Sequence, residues 1–588
     1  MTGADIAVRM LERYGVRHIF GLPGDTSMAL YDAFRRASSP EHIVTRDERS
    51  SAYMADAYAK VTGRPGVCEG PSGGGALYII PGVAEADGSR VPLVCLTTDT
   101  PLTSDDRGSL TSLDQTGLFR PVTRFTARVL MPEKIPETLR RAFRHATAER
   151  QGASHVALPE DVLSRELDGH AAQQDLYAEA HHWAFPAHRG TPPATDLEQA
   201  VELLQNASRP VIFCGGGLHM SAAWDELRRF AEMTSLPVAT TLNGKGAIDE
   251  LGPLALGVVG GNGGKAASNE AVQAADLVLV IGSRLNSTST AGGSIFGDNV
   301  RLIQVDLDPA QIGNNFPVEL GLAGDARAVL AAFISLVEER SRRSGGSRGS
   351  RGNAESHRPW AGKCRTAVEE EVQSYGHYLA ADGVPFTPHR VIRALEKALP
   401  ADSVLVCDAG TPTPYVAAFY RPASAGRLFV AGRAHGSLGY AVPAAIGAKV
   451  GAPDRPVVAL FGDGSFAMAC GEMETISRRQ LPVVLLSFRN GCFSWIKCLQ
   501  QIYYGERYFG VDFGSDVDYC EVARAYGIRA IRPASGPELE EELARAAAAD
   551  RPTFIEATVQ CMTRATPPVS AWQRDAALAP EDRRRKSY

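Results

Sequence analysis

Near residue 460 the chain reads VVALFGDGSFAMACGEME, an apolar run that stops at Gly462 and sets Asp463 between two glycines. A carboxylate at the end of a buried strand is costly unless a cation or several donors meet it. A second apolar run, LPVVLLSF, ends just before Asn490, and the segment between the two has helical character. One strand–helix–strand unit of this kind runs both strands the same way. Asp463 and Asn490 then fall together at the carboxyl ends of strands, where open α/β sheets hold ligands. A carboxylate and an amide oxygen are hard ligands, and Mg²⁺ takes one or two such side chains, with phosphate and water completing its octahedron. Gly462 and Gly464 allow close backbone approach, and a helix starting near Ser465 turns free N–H groups toward a phosphate. The local expectation is a Mg²⁺–diphosphate site, although Gly-Asp-Gly alone is also a common turn.

The elements that must carry these residues repeat along the whole chain. HIF, HIVT, VPLVCLT, PVIFC, LVLVIG, RLIQVDLD, SVLVCD, PVVALF and PVVLLSF are continuous apolar runs, the pattern of parallel strands covered on both faces. Helical segments of 10–15 residues alternate with them, which predicts an α/β class with parallel sheets. Composition shifts divide the 588 residues into a first domain (1–172), a central domain (190–338), a flexible linker and lead-in (339–384), a third domain (385–565) and a tail (566–588). The linker is assigned on ERSRRSGGSRGSRGNAESHRP, which is rich in Gly, Ser and Arg.

A net charge of −6 gives no basic footprint for nucleic acid. No run approaches the roughly 18 apolar residues of a membrane span, and the opening MTGADIAVRMLERYG reads as an amphipathic helix rather than a leader. Ten cysteines stand singly, without metal-ligand spacing, as expected of buried thiols in a reducing cytoplasm. No GxGxxG opens a helix, which weighs against a nicotinamide or flavin dehydrogenase. The DFG at 512–514 lacks the other kinase elements.

GDGS followed by Asn490, each after a strand, resembles the cofactor motif of the thiamin-diphosphate-dependent enzymes. IFGLPGDTSMALYDAF, IVTRDERSSAYMADAYAKVTGRPGVC, PSGGGALYIIPGVAEADGSRVPLVCLT and IGNNFPVELGLAGDARAVL look like the acetolactate-synthase and pyruvate-decarboxylase branch, and the resemblance covers about 20–560. It implies three Rossmann-like parallel-sheet domains, pyrimidine-binding, central and diphosphate-binding. It implies metal ligation by Asp463, Asn490 and the carbonyl of Cys492, with Gly462, Gly464, Ser465 and Phe493 around the cofactor. Glu48 matches the glutamate that bonds the pyrimidine N1′; its bland alternative is a negative charge at a helix start. Leu438 matches the residue under the cofactor's bend, Gly436 the carbonyl that accepts from the 4′-amine, and Thr411 a contact to the diphosphate. Two positions depart from the family pattern: Asp47 stands where a histidine is common, and Arg489 where many members double the asparagine.

For the reaction the resemblance leaves two readings. Asp25, in GLPGD, is shared with simple decarboxylases. The stretch 98–125 holds no histidine pair, and apolar Ile496 stands where those enzymes place a glutamate. With fewer proton donors the activated fragment of a 2-oxo acid survives to meet a carbonyl acceptor, so a carboligase is expected, with Gln115 near substrate and Ile496 facing the reacting carbon. A non-ligating decarboxylase or C–C lyase is the alternative. Phe493, Trp495 and Tyr503 read equally as pocket or core. The glycine-rich FCGGGL and VVGGNGGKAAS of the central domain read as tight turns, and FAD is not expected there. Because the family shares its sites between subunits, a homodimer or homotetramer is implied, cytoplasmic, with small-molecule substrates and neither nucleic acid nor membrane as partner.

Overall fold

The computed structural model describes residues 1–148, 150–167, 175–343, 349–514 and 517–583. Three six-stranded sheets follow one another along the chain, and every strand pair in them is parallel. The first holds β1 (His18–Gly21), β2 (Glu41–Val44), β3 (Gly66–Gly70), β4 (Leu93–Asp99), β5 (Phe125–Arg128) and β6 (Ala153–Pro159) in the order β2-β1-β3-β4-β6-β5. The third holds β13 (Val404–Cys407), β14 (Phe429–Ala431), β15 (Val457–Gly462), β16 (Val483–Arg489), β17 (Arg529–Ile531) and β18 (Thr553–Thr558) in the same relative order, β14-β13-β15-β16-β18-β17. The central sheet differs. With β7 (Pro210–Cys214), β8 (Val238–Thr240), β9 (Ala255–Val258), β10 (Leu277–Ile281), β11 (Arg301–Asp306) and β12 (Leu320–Ala323), it runs β12-β11-β10-β7-β8-β9. That is the order of dinucleotide-binding sheets, with its switch point between β7 and β10.

The continuous apolar runs are strands, as expected. β4 and β6 are buried at every residue. The strands not foreseen are mostly short or at edges, such as β8, β14 and β17, where few apolar residues mark them.

The first and third domains share one core. The Glu48–Thr62 helix lies along the Ala441–Gly451 helix so closely that a Cβ on Gly447 would stand 1.9 Å from the Met54 carbonyl oxygen. Tyr53 and Tyr440 meet edge to face, centroids 5.2 Å apart. Beneath them Lys60 Nζ donates to Asp56 Oδ2 at 2.7 Å and to the Ala431 carbonyl at 3.3 Å, and the Tyr440 hydroxyl donates to Asp56 at 2.6 Å.

Two segments set outside the three domains contain helices. In the linker assigned to 339–384, residues Gly349–Ser374 form one helix. Trp360, Cys364 and Val368, spaced by four, give it an apolar stripe against the central domain, and the Trp360 indole donates to the Pro210 carbonyl at 3.2 Å. The Gly/Ser/Arg composition ahead of the stripe hid that periodicity; residues 344–348 lie outside the described residues. The tail assigned to 566–588 contains the Ser570–Ala576 helix, whose Trp572 is buried against Trp495 at 4.3 Å. Residues 584–588, most of the basic run, also lie outside the described residues. Among the described residues no helix is long and apolar enough to cross a membrane.

Candidate active site

β15 ends at Gly462 and the short Asp463–Ala469 helix begins at once; β16, its parallel neighbour, ends at Arg489. Asp463 and Asn490 therefore meet. The Asn490 backbone N–H donates to Asp463 Oδ2 at 2.9 Å, and Asn490 Oδ1 accepts from the Cys492 Sγ–H at 3.3 Å. Asp463 Oδ1 and Asn490 Nδ2 are buried with no hydrogen-bond partner. Burial raises the Asp463 pKa above the ordinary carboxylate value, against the lowering pull of the Asn490 N–H and the Tyr519 hydroxyl. An unpartnered buried carboxylate oxygen beside an amide, both hard donors, fits a divalent cation such as Mg²⁺. Arg489, in place of a second asparagine, turns away to Glu556 at 2.9 Å.

The glycines here have distinct reasons. A Cβ on Gly464 would lie 2.2 Å from the Phe493 ring, so Phe493 packs directly on the backbone of the turn. Gly462 is the N-cap of the helix, and a Cβ there would meet only the Phe488 carbonyl, 4.0 Å away. The expected single helix after GDGS is instead three short pieces, Asp463–Ala469, Cys470–Glu472 and Met473–Arg478. The break seats Glu472, whose buried carboxylate accepts from the Arg46 N–H at 2.9 Å and the Thr475 hydroxyl at 2.7 Å.

The first domain offers a second group of residues at the carboxyl ends of β1 to β4. Glu48 opens the Glu48–Thr62 helix behind the N-cap Asp47, as the bland reading held. It is also buried, with Oε1 only 3.1 Å from where a Gly75 Cβ would be. Burial raises its pKa, with Asp47 and Glu69 adding to the effect. Asp25 is exposed and starts the Asp25–Ser27 turn. Next to it a chain of hydroxyls, Thr98–Thr26–Ser72–Thr111, ties the end of β4 to three neighbouring segments at 2.8, 3.1 and 2.8 Å. Gln115 is buried, its Nε2 donating to the Thr98 carbonyl at 2.9 Å and its Oε1 accepting from the Thr97 hydroxyl, so its amide is tied to β4.

Gly436 and Leu438 lie on the loop from β14 to the Ala441–Gly451 helix. Gly436 has a φ of +66° and open space where a Cβ would be. Leu438 is half-buried, in none of the domain cores. Two buried carboxylates that the sequence did not reveal position this loop. Glu85 accepts from the Ala434 and His435 N–H groups at 2.9 and 3.0 Å. Asp408, at the end of β13, accepts from the Tyr440 and Ala441 N–H groups at 3.0 and 3.2 Å. Burial pushes its pKa up to about 7 against those bonds and the Ser465 hydroxyl. Thr411 is buried at the cap of the Pro412–Phe419 helix, just after Asp408.

Ile496, on the Ser494–Tyr504 helix, is 45% exposed and open to a ligand. Trp495 and Tyr503 pack against the core: the Trp495 ring meets Trp572 at a tilt of 49°, and the Tyr503 hydroxyl donates to Asp575 at 2.6 Å. Among the described residues no hydrogen bond or ion pair joins Glu48 to Asp463 or Asn490. Within one chain the start of the Glu48 helix lies instead against the far end of the Asp463 helix, where Arg49 donates to the Met468 carbonyl at 2.9 Å.

The central domain opens a crevice of about 190 Å³ at its switch point, bordered by Gly216, Gly217, Asn243, Arg284, Asp306 and Arg427. The glycines do make tight turns, as expected: a Cβ on Gly217 would lie 2.7 Å from Gly282 Cα.

Three family descriptions match the chain in sequence: the thiamine pyrophosphate enzyme N-terminal TPP binding domain over residues 1–118, the central domain over 197–333 and the C-terminal TPP binding domain over 408–557. A probable acetolactate synthase large subunit of Methanococcus aeolicus is 32% identical over 95% of this chain and 92% of its own length. One of Methanocaldococcus jannaschii is 33% identical over 95% and 92%. The acetolactate synthase large subunit of Corynebacterium glutamicum is 32% identical over 97% and 89%.

Proposed function

Because this chain belongs to the thiamine pyrophosphate enzymes, we propose that Asp463, Asn490 and the Cys492 carbonyl hold the Mg²⁺ through which it grips thiamin diphosphate. The likeness to acetolactate synthase large subunits along nearly the whole chain makes it a carboligase of that type, not a simple decarboxylase. It takes a 2-oxo acid as donor, removes CO₂, and joins the remainder to a carbonyl acceptor. The observation that carries the metal is the buried, unpartnered Asp463 Oδ1 beside Asn490.

When bound, thiamin diphosphate supplies an electron sink at C2 of its thiazolium ring. The residues do the rest. Glu48, with its raised pKa, shares a proton with the pyrimidine N1′. Leu438 would support the cofactor from its half-buried place, and the Gly436 carbonyl would accept from its amine. Gly462, Gly464, Ser465, Thr411 and the Phe493 ring shape the diphosphate end. Ile496 would bring no proton to the reacting carbon, and exposed Asp25 would be the carboxylate that handles protons there.

We read the active unit as a homodimer or a pair of dimers. Glu48 has no link to the metal pair within one chain, and apolar side chains are exposed on both domains, with Leu110 and Phe509 each 89% exposed. The singly placed buried thiols suit a reducing cytoplasm. Flavin in the central crevice is not part of this reading; visible flavin absorbance in purified protein would overturn that point.

The test is to give the protein thiamin diphosphate, Mg²⁺ and a panel of 2-oxo acids while following CO₂ and organic product together. Acetolactate, the product named for the relatives, is the first to seek. CO₂ with free aldehyde alone would refute ligation, and absence of cofactor binding would refute the whole reading. Mixing Glu48→Gln with Asp463→Ala chains should restore part of the activity; none after proven subunit exchange would refute a shared site.

A further inference from the structure

The segment EAHHWAFPAHRG (179–190) straps the first domain to the central one. The Phe185 N–H donates to the Gly63 carbonyl at 3.1 Å, at the far end of the helix that carries Glu48, and the Ala187 N–H to the Thr147 carbonyl at 3.2 Å. Arg189 then reaches Asp325 of the central domain at 2.8 Å. Within the strap, His181, His182 and His188 gather their rings, with centroids 5.1 to 5.8 Å apart. Each offers a ring nitrogen, and the three nitrogens lie within 4.8 Å of one another.

The hydrogen bonding around His182 assigns its tautomer. The Thr147 hydroxyl spends its one hydrogen on the Phe143 carbonyl, 2.8 Å away. His182 Nδ1, 2.6 Å from that hydroxyl oxygen, must therefore be the donor to it. This leaves Nε2 as a bare lone pair. Such an outer hydrogen bond is how proteins orient an imidazole for a metal. Nε2 faces Glu179 Oε2 at 3.5 Å. Arg144 Nε donates to that same Oε2 at 2.8 Å and its Nη2 to Oε1, so the guanidinium occupies the carboxylate and the His182 Nε2 lone pair stays open to a cation. His181 and His188 are exposed, so their rings can turn inward to the roughly 2.0–2.1 Å that zinc–imidazole bonds require.

We propose that His181, His182 and His188 bind a borderline divalent cation, zinc in the first instance, with water in the fourth position. Its role is structural: it staples the strap at the junction of the first and central domains. Three imidazoles prefer such a metal to Mg²⁺, which takes oxygen ligands, so this site is chemically separate from the cofactor's cation.

The experiment uses the full chain, chelator-treated, then held with saturating thiamin diphosphate and millimolar Mg²⁺ and titrated with zinc. One equivalent per chain should bind at micromolar zinc and raise the unfolding temperature. Cobalt in its place should show visible absorption of a nitrogen- and oxygen-ligated ion, without sulfur charge transfer. The His181→Ala/His188→Ala chain should lose both the binding and the thermal shift while keeping its zinc-free carboligase activity. His182→Gln should also lose the binding. The proposal is overturned by failure to retain zinc at micromolar concentration, by stoichiometric binding that survives the double substitution, or by a cysteine charge-transfer band.

Discussion

The Asn490 backbone N–H donates to Asp463 Oδ2 at 2.9 Å, and this leaves Asp463 Oδ1 buried without a partner. One oxygen is used to join two strand ends, and the other is aimed at whatever cation arrives. Asp463→Asn keeps an acceptor for that N–H and removes the charge. It should weaken Mg²⁺-dependent cofactor binding by more than about 100-fold while the cofactor-free unfolding temperature stays near that of the parent. Titration calorimetry and thermal melts measure both; unchanged cofactor affinity would remove Asp463 from the metal site.

Glu48→Gln keeps the size and burial of the side chain but cannot exchange a proton with a ring nitrogen. Turnover should fall by roughly 10²- to 10⁴-fold, with cofactor affinity changed only a few-fold. If turnover is retained, Glu48 is only the helix-start charge.

Gly464→Ala would place a methyl 2.2 Å from the Phe493 ring. Overpacking of this kind costs about 1–3 kcal/mol. Adding Phe493→Ala should recover most of the loss, because the clash is with that ring alone. Denaturant melts of the two single variants and the double variant close the cycle, and additive losses would count against the contact.

Lys60→Met leaves the Asp56 carboxylate buried with only the Tyr440 hydroxyl for company. Breaking a buried pair from one side costs about 3–5 kcal/mol. The loss should appear as a lower unfolding midpoint, since the pair lies where the first and third domains share a core. A midpoint near that of the parent would show the pair to be exchangeable.

Asp408 sets a pH dependence. Its folded pKa is raised by burial to about 7, from an ordinary value of 3.8. Between those values the folded chain keeps a proton that the unfolded chain has lost, so stability falls as pH rises, by about 1.4 kcal/mol per unit. The contribution is full below the lower value, and its loss is complete above about 7. Asp408→Asn removes this slope, so the variant should gain on the parent between pH 5 and 7 in cofactor-free melts. Parallel curves for the two proteins would refute the shift.

Legibility followed range. Asp463 and Asn490 stand at strand ends within one local unit, where apolar runs, glycines and turn chemistry mark them, whereas Glu48 at its helix start was singled out by the resemblance of its motif. Glu85 and Asp408 were not legible: they hold the 434–441 backbone from distant points in the chain, through bonds that leave no local pattern. Gln115 was placed near substrate by its motif; that its amide is tied to β4 left no mark in the local sequence. Gly/Ser/Arg-rich residues masked the stripe Trp360–Cys364–Val368.

The sequence by itself determined the class of fold, because period and turn chemistry act over a few residues, and the cofactor family, through its resemblance to the thiamin-diphosphate-dependent enzymes; it also set Asp463 and Asn490 at the ends of neighbouring strands. Tertiary structure decided which polar groups remain unpartnered. It left Asp463 Oδ1 open, consumed Gln115, lifted Asp408 by enclosing it, and drew three histidines of a strap together. Each outcome depends on desolvation and on donors brought from far along the chain, and neither is a property of a local stretch of residues.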